Sequence, residues 1–216
     1  MPASRLVILG AGGHGASAYN VALSAGFNVT QFVDPRLRGG KLLGTEIVGD
    51  LSEIAGAGSL PVFIALGDND SRSCVHNDLS IQYPAVSFPR LIHASAVISC
   101  FASIGDGTIV MPGSVVGPNT VIGRFCILNT RSAIDHDGVM SDCSSLAPGV
   151  TLGGKVRIGL RSAISIGAVI KDGITIGDDC VVGASSYVNA NLPGNCVAYG
   201  TPARIVRPRT RTDRYL

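Results

Sequence analysis

His136 is well suited to acid–base chemistry because it lies between two carboxylates in the segment Ile134-Asp135-His136-Asp137. A neighbouring carboxylate can fix the tautomer of an imidazole and raise its basicity. The segment therefore predicts a general base at His136. The alternative, a solvated surface histidine, has to be judged from the elements that position the ring.

A glycine-rich loop near the N-terminus is a candidate phosphate site. It follows an apolar strand predicted at residues 5–10 and precedes a helix predicted at residues 14–25. Its glycines fit the pattern G-x-G-x-x-G at Gly10, Gly12 and Gly15. Glycines let phosphate approach the N–H groups of a helix N-terminus, so the loop predicts nucleotide binding, with a plain tight turn as the alternative. A dinucleotide fits poorly, because the α/β segment spans only about 90 residues, half of the usual fold.

The rest of this segment alternates between strand and helix patterns. Further strands are predicted at residues 28–34, 46–50, 60–66 and 85–91. Strands that alternate with short helices predict a small parallel α/β sheet.

From Ile92 onward an apolar residue recurs every six positions without interruption. Gly, Asn or Asp often follows it, which predicts positive φ at corners, and a small residue usually stands four positions after it. Helices have period 3.6 and ordinary strands period 2, so a period of six predicts short strands joined by corners around one core. The series is Ile92, Ile98, Ile104, Val110, Val116, Ile122, Leu128, Ile134, Met140, Leu146, Leu152, Ile158, Ile164, Ile170, Ile176, Val182 and Val188.

Composition limits the possible partners and compartments. The chain has 216 residues, a formal net charge of +2, 28 glycines and 11 prolines. So small a charge disfavours nucleic acid and anionic membranes as partners. No apolar run reaches the about 20 residues of a membrane span, and the N-terminus has no signal-peptide pattern, so a cytoplasmic protein is expected. The six cysteines contain no C-x-x-C pair and are interpreted as reduced and, for the most part, as small core residues.

Four motifs carry a resemblance over nearly the whole chain. They are VILGAGGHG, LNTRSAIDHDGVM, APGVTLGGKVRIG and YGTPARIV, in this order. Together they resemble the PglD/NeuD-type sugar acetyltransferases, and the period of six resembles the hexapeptide repeat of left-handed β-helix acyltransferases. The resemblance implies a Rossmann-like nucleotide-sugar-binding domain at residues 1–91 and a left-handed parallel β-helix at residues 92–216. It also implies a homotrimer.

Three hexapeptides make one coil in that family, so residues 18 apart should stack. His136 then lies below Gly154, whose lack of a side chain leaves space at the ring, and Asp137 lies below Lys155, a possible ion-pair partner. The resemblance makes His136 the general base and Asp137 its orienting acid. It adds Asn129 to the catalytic group and assigns the Gly154 amide to polarise the thioester carbonyl.

The resemblance also implies two sets of binding residues. Relatives commonly have a second histidine where this chain has Ser145, which leaves that position's contact with the acetyl donor in doubt. The nucleotide-sugar set is Gly10, Gly12, Gly13, His14, Asp34, Gly67, Asn69 and Arg72. The CoA set is Ser145, Ile166, Gly167, Gly173, Ala184, Gly200, Pro202, Ala203 and Arg204. The tail with Arg207, Arg209, Arg211 and Arg214 either meets CoA phosphates or is a solvated, disordered end.

The expected activity is transfer of acetyl from acetyl-CoA to the 4-amino group of a UDP-, GDP- or dTDP-linked 4-amino-4,6-dideoxy sugar. O-acetylation of a sialic acid-like sugar is the close alternative. A non-catalytic nucleotide-sugar-binding β-helix scaffold is the alternative from another class. No metal is expected, because His136 alone is suitably placed in the repeat region for a metal site of the carbonic anhydrase kind.

Overall fold

A computed structural model describes residues 4–56 and 59–213. The N-terminal part forms a five-stranded sheet of order β3-β4-β2-β1-β5, parallel except for the hairpin of β3 and β4. Helix α1 packs on β1 and β2, and α2 contacts β5. The elements are β1 (Ser4–Leu9), α1 (Gly13–Ser24), β2 (Phe27–Val33), β3 (Lys41–Leu42), β4 (Thr45–Val48), β5 (Val62–Ile64) and α2 (Asn69–Gln82).

The strand predicted at residues 85–91 is wrong. The chain there is irregular, and only Leu91–Ile92 is a strand, β6, which belongs to the next domain. Pro84 precedes this segment and Pro89 lies within it, and proline offers no N–H to a sheet ladder. One hydrogen bond, from Val62 N to Ser87 O at 2.9 Å, joins the segment to β5.

The remaining chain winds into the predicted left-handed parallel β-helix, so the fold class is confirmed. Each coil contributes one short strand to each of three faces. Face 1 contains β6, β9, β12, β15, β18, β21, β23 and β24; face 2 contains β7, β10, β13, β16, β19 and β22; face 3 contains β8, β11, β14, β17 and β20. The strands are β7 (Val97–Ile98), β8 (Ser103–Ile104), β9 (Ile109–Val110), β10 (Val115–Val116), β11 (Val121–Ile122), β12 (Ile127–Leu128), β13 (Ala133–Ile134), β14 (Val139–Met140), β15 (Ser145–Leu146), β16 (Thr151–Leu152), β17 (Arg157–Ile158), β18 (Ala163–Ile164), β19 (Val169–Ile170), β20 (Thr175–Ile176), β21 (Val181–Val182), β22 (Tyr187–Val188), β23 (Cys196–Gly200) and β24 (Ala203–Pro208).

Residues 18 apart pair in the ladders, as Val116, Ile134 and Leu152 do on face 2. The apolar residue of each hexapeptide points inward and is buried from Ile104 onward. The small residue four positions after the apolar residue is a buried serine or threonine in many coils. The hydroxyls of Ser114 and Thr120 donate to backbone carbonyls at the corners. These two hydroxyls in the coil interior are therefore paired.

The prediction of positive φ directly after the apolar residue is wrong. Positive φ falls three positions after it, at residues as varied as Phe125, Asp137 and Lys155. The glycine after the apolar residue serves close approach between coils instead. A Cβ on Gly117 would lie 2.8 Å from the carbonyl carbon of Asp135 in the next coil, closer than atoms normally come.

The N-terminal domain packs on the early coils of face 1. Ile109 and Ile127 point outward from face 1 and share one buried cluster with Val21 of α1 and Phe32 of β2. Face 1 is thereby half covered, and the two corners that flank face 2 remain available for chemistry.

Candidate active site

His136 lies at the corner between faces 2 and 3, in the turn from β13 to β14. Its Nδ1 is 2.7 Å from Asp137 Oδ2, and Asp137 also accepts from Asn119 Nδ2 at 3.2 Å. The His136 side chain is 48% exposed, so the ring is open to a ligand. A carboxylate at Nδ1 holds the proton there and leaves Nε2 as the basic atom.

Gly154 lies one coil above His136, as the coil spacing predicts. A Cβ built on Gly154 would be 2.5 Å from His136 Nε2, which is too close. The ring can therefore occupy its observed position only because residue 154 is glycine. The Gly154 N–H donates to Asp172 Oδ1 at 2.8 Å. This bond occupies the amide that was expected to polarise the thioester, and the structure gives Gly154 a steric role instead.

Asp137 does not form the expected pair with Lys155. Its carboxylate bonds to His136 and Asn119, and Lys155 acts on both groups only through its charge. Asn119 stands one coil below Asp137, so the spacing of 18 that placed Gly154 could have identified this second partner.

A cavity of about 420 Å³ lies at the other edge of face 2, at the corner between faces 1 and 2. His14 and Gly67 reach it from the N-terminal domain. Asn129, Ser145, Ile166 and Ala184 line it from four successive coils. The cavity thus joins residues expected to bind the nucleotide sugar with residues expected to bind CoA.

The His14 ring at this cavity is held neutral. Burial, with a smaller contribution from the charge of Arg72, lowers the pKa of His14 from 6.5 to about 4. Its Nε2 is buried without a hydrogen-bond partner among the residues that the structure describes. A buried, unpaired ring nitrogen at a cavity is suited to meet a polar ligand group.

Comparison with known proteins places the chain in a family. The model of the PglD N-terminal domain matches residues 5–79. A variant of perosamine N-acetyltransferase from Caulobacter crescentus, in complex with CoA and GDP-perosamine, is 32% identical, with a TM-score of 0.90 over 94% of this chain and 97% of that one. The chain belongs to the PglD/NeuD-type sugar acetyltransferases.

Two further solved structures of this family agree. The acetyltransferase domain of PglB from Neisseria gonorrhoeae, in complex with acetyl coenzyme A, is 28% identical, with a TM-score of 0.88 over 94% of this chain and 100% of that one. WeeI from Acinetobacter baumannii is 25% identical, with a TM-score of 0.79 over 94% and 100%. The predicted family and the predicted enzyme class, an acetyltransferase, are confirmed.

The residues assigned to this acetyltransferase chemistry occupy two corners of the coil. His136, Asp137, Gly154 and Gly173 lie at the corner between faces 2 and 3. Asn129 lies at the opposite edge of face 2, so within one chain it is not part of the His136 cluster. Gly167 lies beside Ile166 at the Asn129 corner. The turn at residues 200–204 stacks above that corner, where Gly200 N donates to Ser186 Oγ at 3.1 Å.

Asn69 and Arg72 are not placed as expected for substrate contacts. Both side chains are 1% exposed and are hydrogen-bonded across the domain interface. Asp34 is likewise buried, and its carboxylate accepts from the backbone N–H groups of Ala11 and Arg36. Asp34 therefore shapes the glycine loop, in which Gly10 has a φ of 103°. Gly12 and Gly13, at the start of α1, are the exposed part of this loop.

The described part of the tail is ordered, which contradicts the expectation of a disordered end. Arg207 pairs with Asp213, and Arg209 is buried beside Asp179. Arg211 pairs with Asp70 of α2. Arg209 and Arg211 thus hold the tail on the protein, and Arg214 lies outside the described residues.

Among residues 4–56 and 59–213, His, Cys, Asp and Glu side chains form no group of three that could hold a metal ion. The helices in the same ranges are too short or too polar to cross a membrane.

Asp137→Asn tests the pairing of His136. The hydrogen bond from the His136 ring to Asp137 is the main cause that raises the pKa of His136 above its ordinary 6.5, and the charges of Asp135 and Asp137 add to it. The base works deprotonated, so activity falls as the pH drops through this raised pKa. In Asp137→Asn we expect the acidic limb of kcat/KM to move to lower pH and the maximal rate to fall by about 10², because the base is weaker and less well oriented.

The measurement is a pH–rate profile for both proteins, with Asp135→Asn as the matched control. Asp135 affects the pKa of His136 through charge, and its Oδ1 binds the backbone N–H of His136 rather than the ring. The control should move the limb less. An unmoved limb in Asp137→Asn would contradict the pairing.

Proposed function

We propose that the chain transfers acetyl from acetyl-CoA to the 4-amino group of a 4-amino-4,6-dideoxy sugar linked to UDP, GDP or dTDP, in the cytoplasm. The observation that carries the proposal is the half-exposed His136 ring, with Asp137 at Nδ1 and Nε2 beneath Gly154. Similar structures in complex with CoA and GDP-perosamine, and with acetyl coenzyme A, support the substrate classes.

The chemical step needs one base and two aligned substrates. His136 Nε2 takes a proton from the sugar nitrogen as that nitrogen forms a bond to the thioester carbon. The C–S bond then breaks, and sulfur leaves as the CoA thiolate, which takes up a proton. General-base assistance of this kind contributes about 10² to 10⁴ in rate, and alignment contributes further. No covalent enzyme intermediate is required.

The two corners of face 2 come together if the chain forms a homotrimer around that face. His136 occupies one edge of face 2, and the cavity with Asn129 and Ser145 occupies the other. When three copies pack face 2 around a threefold axis, one edge of each copy meets the opposite edge of its neighbour. We therefore propose that each site takes His136 from one subunit and the cavity from the next.

The outward residues of face 2 suit such an interface. They form a mostly apolar column, in which Val97, Val115 and Val169 are 63%, 41% and 42% exposed. Ala133, Thr151 and Tyr187 complete the column. The outward column of face 3 is more mixed, with Ser103, Val121, Val139, Arg157 and Thr175. An exposed apolar stripe on a regular sheet favours burial against a second copy.

The binding residues follow from this arrangement. We assign acetyl-CoA to the corner that runs from Ser145 through Ile166 and Ala184 to the turn at residues 200–204. We assign the nucleotide sugar to the exposed loop of Gly12 and Gly13, with His14 and Gly67 where the two ligands meet.

The direct test is to incubate the protein with acetyl-CoA and a panel of UDP-, GDP- and dTDP-linked 4-amino sugars, with a sialic acid-like sugar in a separate reaction, and to identify products by mass. We expect one N-acetylated sugar and matching release of thiol. Acetylation of a sialic acid-like sugar on oxygen would replace the proposed acceptor. Binding of a nucleotide sugar without thiol release would identify a scaffold and refute the enzyme.

A further inference from the structure

We propose that Arg72 and Asn69 are positioning residues for acetyl transfer, which fix the loop at residues 66–68 against the β-helix and so hold one wall of the cavity in place. The inference rests on the proposed function for its kinetic consequences. Its structural basis is a set of hydrogen bonds from α2 to three successive coils.

The bonds end on a regular column of backbone carbonyls. Phe125, Cys143 and Arg161 stand 18 residues apart at the corner between faces 3 and 1, and all three have positive φ. Arg72 Nε donates to Phe125 O at 2.7 Å, and Arg72 Nη2 donates to Cys143 O at 3.0 Å. Asn69 Nδ2 donates to Arg161 O at 3.0 Å. Side chains on one turn of α2 thus match the coil spacing.

The same guanidinium holds the cavity loop. Arg72 Nη1 donates to Leu66 O at 2.8 Å and to Gly67 O at 3.1 Å. Its Nη2 also donates to Asn69 Oδ1 at 2.6 Å, which orients the Asn69 amide toward its own corner. Gly67 lines the cavity together with His14. Arg72 therefore connects the cavity wall directly to the coils that carry Asn129 and Ser145.

The charge of Arg72 has a second effect at the cavity. It contributes, after burial, to the lowered pKa of His14, and so keeps that ring neutral. A lysine at position 72 retains one charge but lacks the planar fork of donors, so it cannot reach both corner carbonyls and both loop carbonyls together.

The C-terminal segment extends this column by one coil. Arg209 Nη1 donates to Asp179 O at 3.0 Å, and Asp179 stands 18 residues after Arg161 with positive φ. Arg211 then pairs with Asp70 on α2. Four successive corner carbonyls are bound by side chains from outside the coils, and the first turn of α2 contacts both the coils and the C-terminal segment.

The kinetic test is Arg72→Lys, with Phe88→Leu as the matched control. Phe88 packs on Phe125 at the same domain interface, 5.2 Å between ring centroids, and is not among the residues that line the cavity. We expect Arg72→Lys to lower kcat/KM for the nucleotide sugar about ten- to hundredfold, because a displacement of the cavity wall by about 1 Å can reduce the rate by this much. Phe88→Leu should lower the unfolding midpoint but leave kcat/KM within about twofold of the wild type.

A second readout separates this proposal from the proposed function. Hydrogen exchange of the peptide covering residues 65–72 should accelerate in Arg72→Lys and not in Phe88→Leu, whether or not the wild type transfers acetyl. If Arg72→Lys does not fold, Asn69→Ala carries the same two measurements, because it removes the bonds to one corner only. If Arg72→Lys and Phe88→Leu lower the unfolding midpoint equally and also lower kcat/KM equally, the positioning role is overturned. It is also overturned if Arg72→Lys leaves hydrogen exchange at residues 65–72 unchanged. A wild type without transfer but with the expected exchange pattern would refute only the proposed function.

Discussion

His136→Ala should lose about 10² to 10⁴ in kcat, because it removes the atom that we propose takes the acceptor's proton. The fold should survive, since the side chain is 48% exposed at a corner and its ring packs against a glycine rather than into the coil interior. The unfolding midpoint and the affinity for CoA should stay near those of the wild type. Steady-state kinetics with thiol detection, together with thermal unfolding, measure both.

A matched control distinguishes base chemistry from general disturbance of the coils. His93 lies at the corner between faces 1 and 2 in the first coil, where Nδ1 contacts Ser95 Oγ at 2.8 Å. His93→Ala removes an imidazole from the same repeat scaffold, and we expect near-normal kcat. If His136→Ala keeps near-normal kcat as well, the base is elsewhere and the mechanism fails.

The repeat made the β-helix and part of its site predictable. A period of six fixes which residues point inward, and ladders of backbone hydrogen bonds fix a register of 18, so the sequence alone placed Gly154 above His136. The partner of Asp137 was misjudged as Lys155, because spacing gives the neighbours above and below but not which of them a carboxylate contacts.

Contacts between domains were not predictable from the same pattern. The family resemblance assigns Arg72 and Asn69 to the nucleotide sugar. Their burial depends on how α2 docks on the corner carbonyls of Phe125 and Cys143, which no local pattern encodes. The order of the tail was unpredictable for the same reason. Arg211 and Asp70 are far apart in sequence, and they form an ion pair only once the chain has folded.

The separation of Asn129 from His136 is the most consequential difference. The two residues are close in sequence, but the strand β13 of face 2 lies between them and places them at different corners. A motif read as one catalytic group is therefore divided between two edges of one face. That division is the reason for expecting a site shared by two subunits.

Mixed trimers of two inactive variants measure this sharing. His136→Ala removes the base, and Ser145→Phe fills the cavity on the opposite edge, so each variant alone should be nearly inactive for a different reason. Co-expressed in equal amounts, the two chains assemble at random. About a quarter of the interfaces then join an intact His136 edge to an intact cavity, if the oligomer is a closed ring of equivalent contacts.

We expect activity of the purified mixture to recover to about a quarter of the wild-type value per site, with native mass spectrometry showing trimers that contain both chains. Each variant assembled separately and then mixed without subunit exchange provides the baseline. Mixed trimers with no activity above that baseline would show that His136 and the cavity do not act across a subunit boundary, and would contradict the account at its centre.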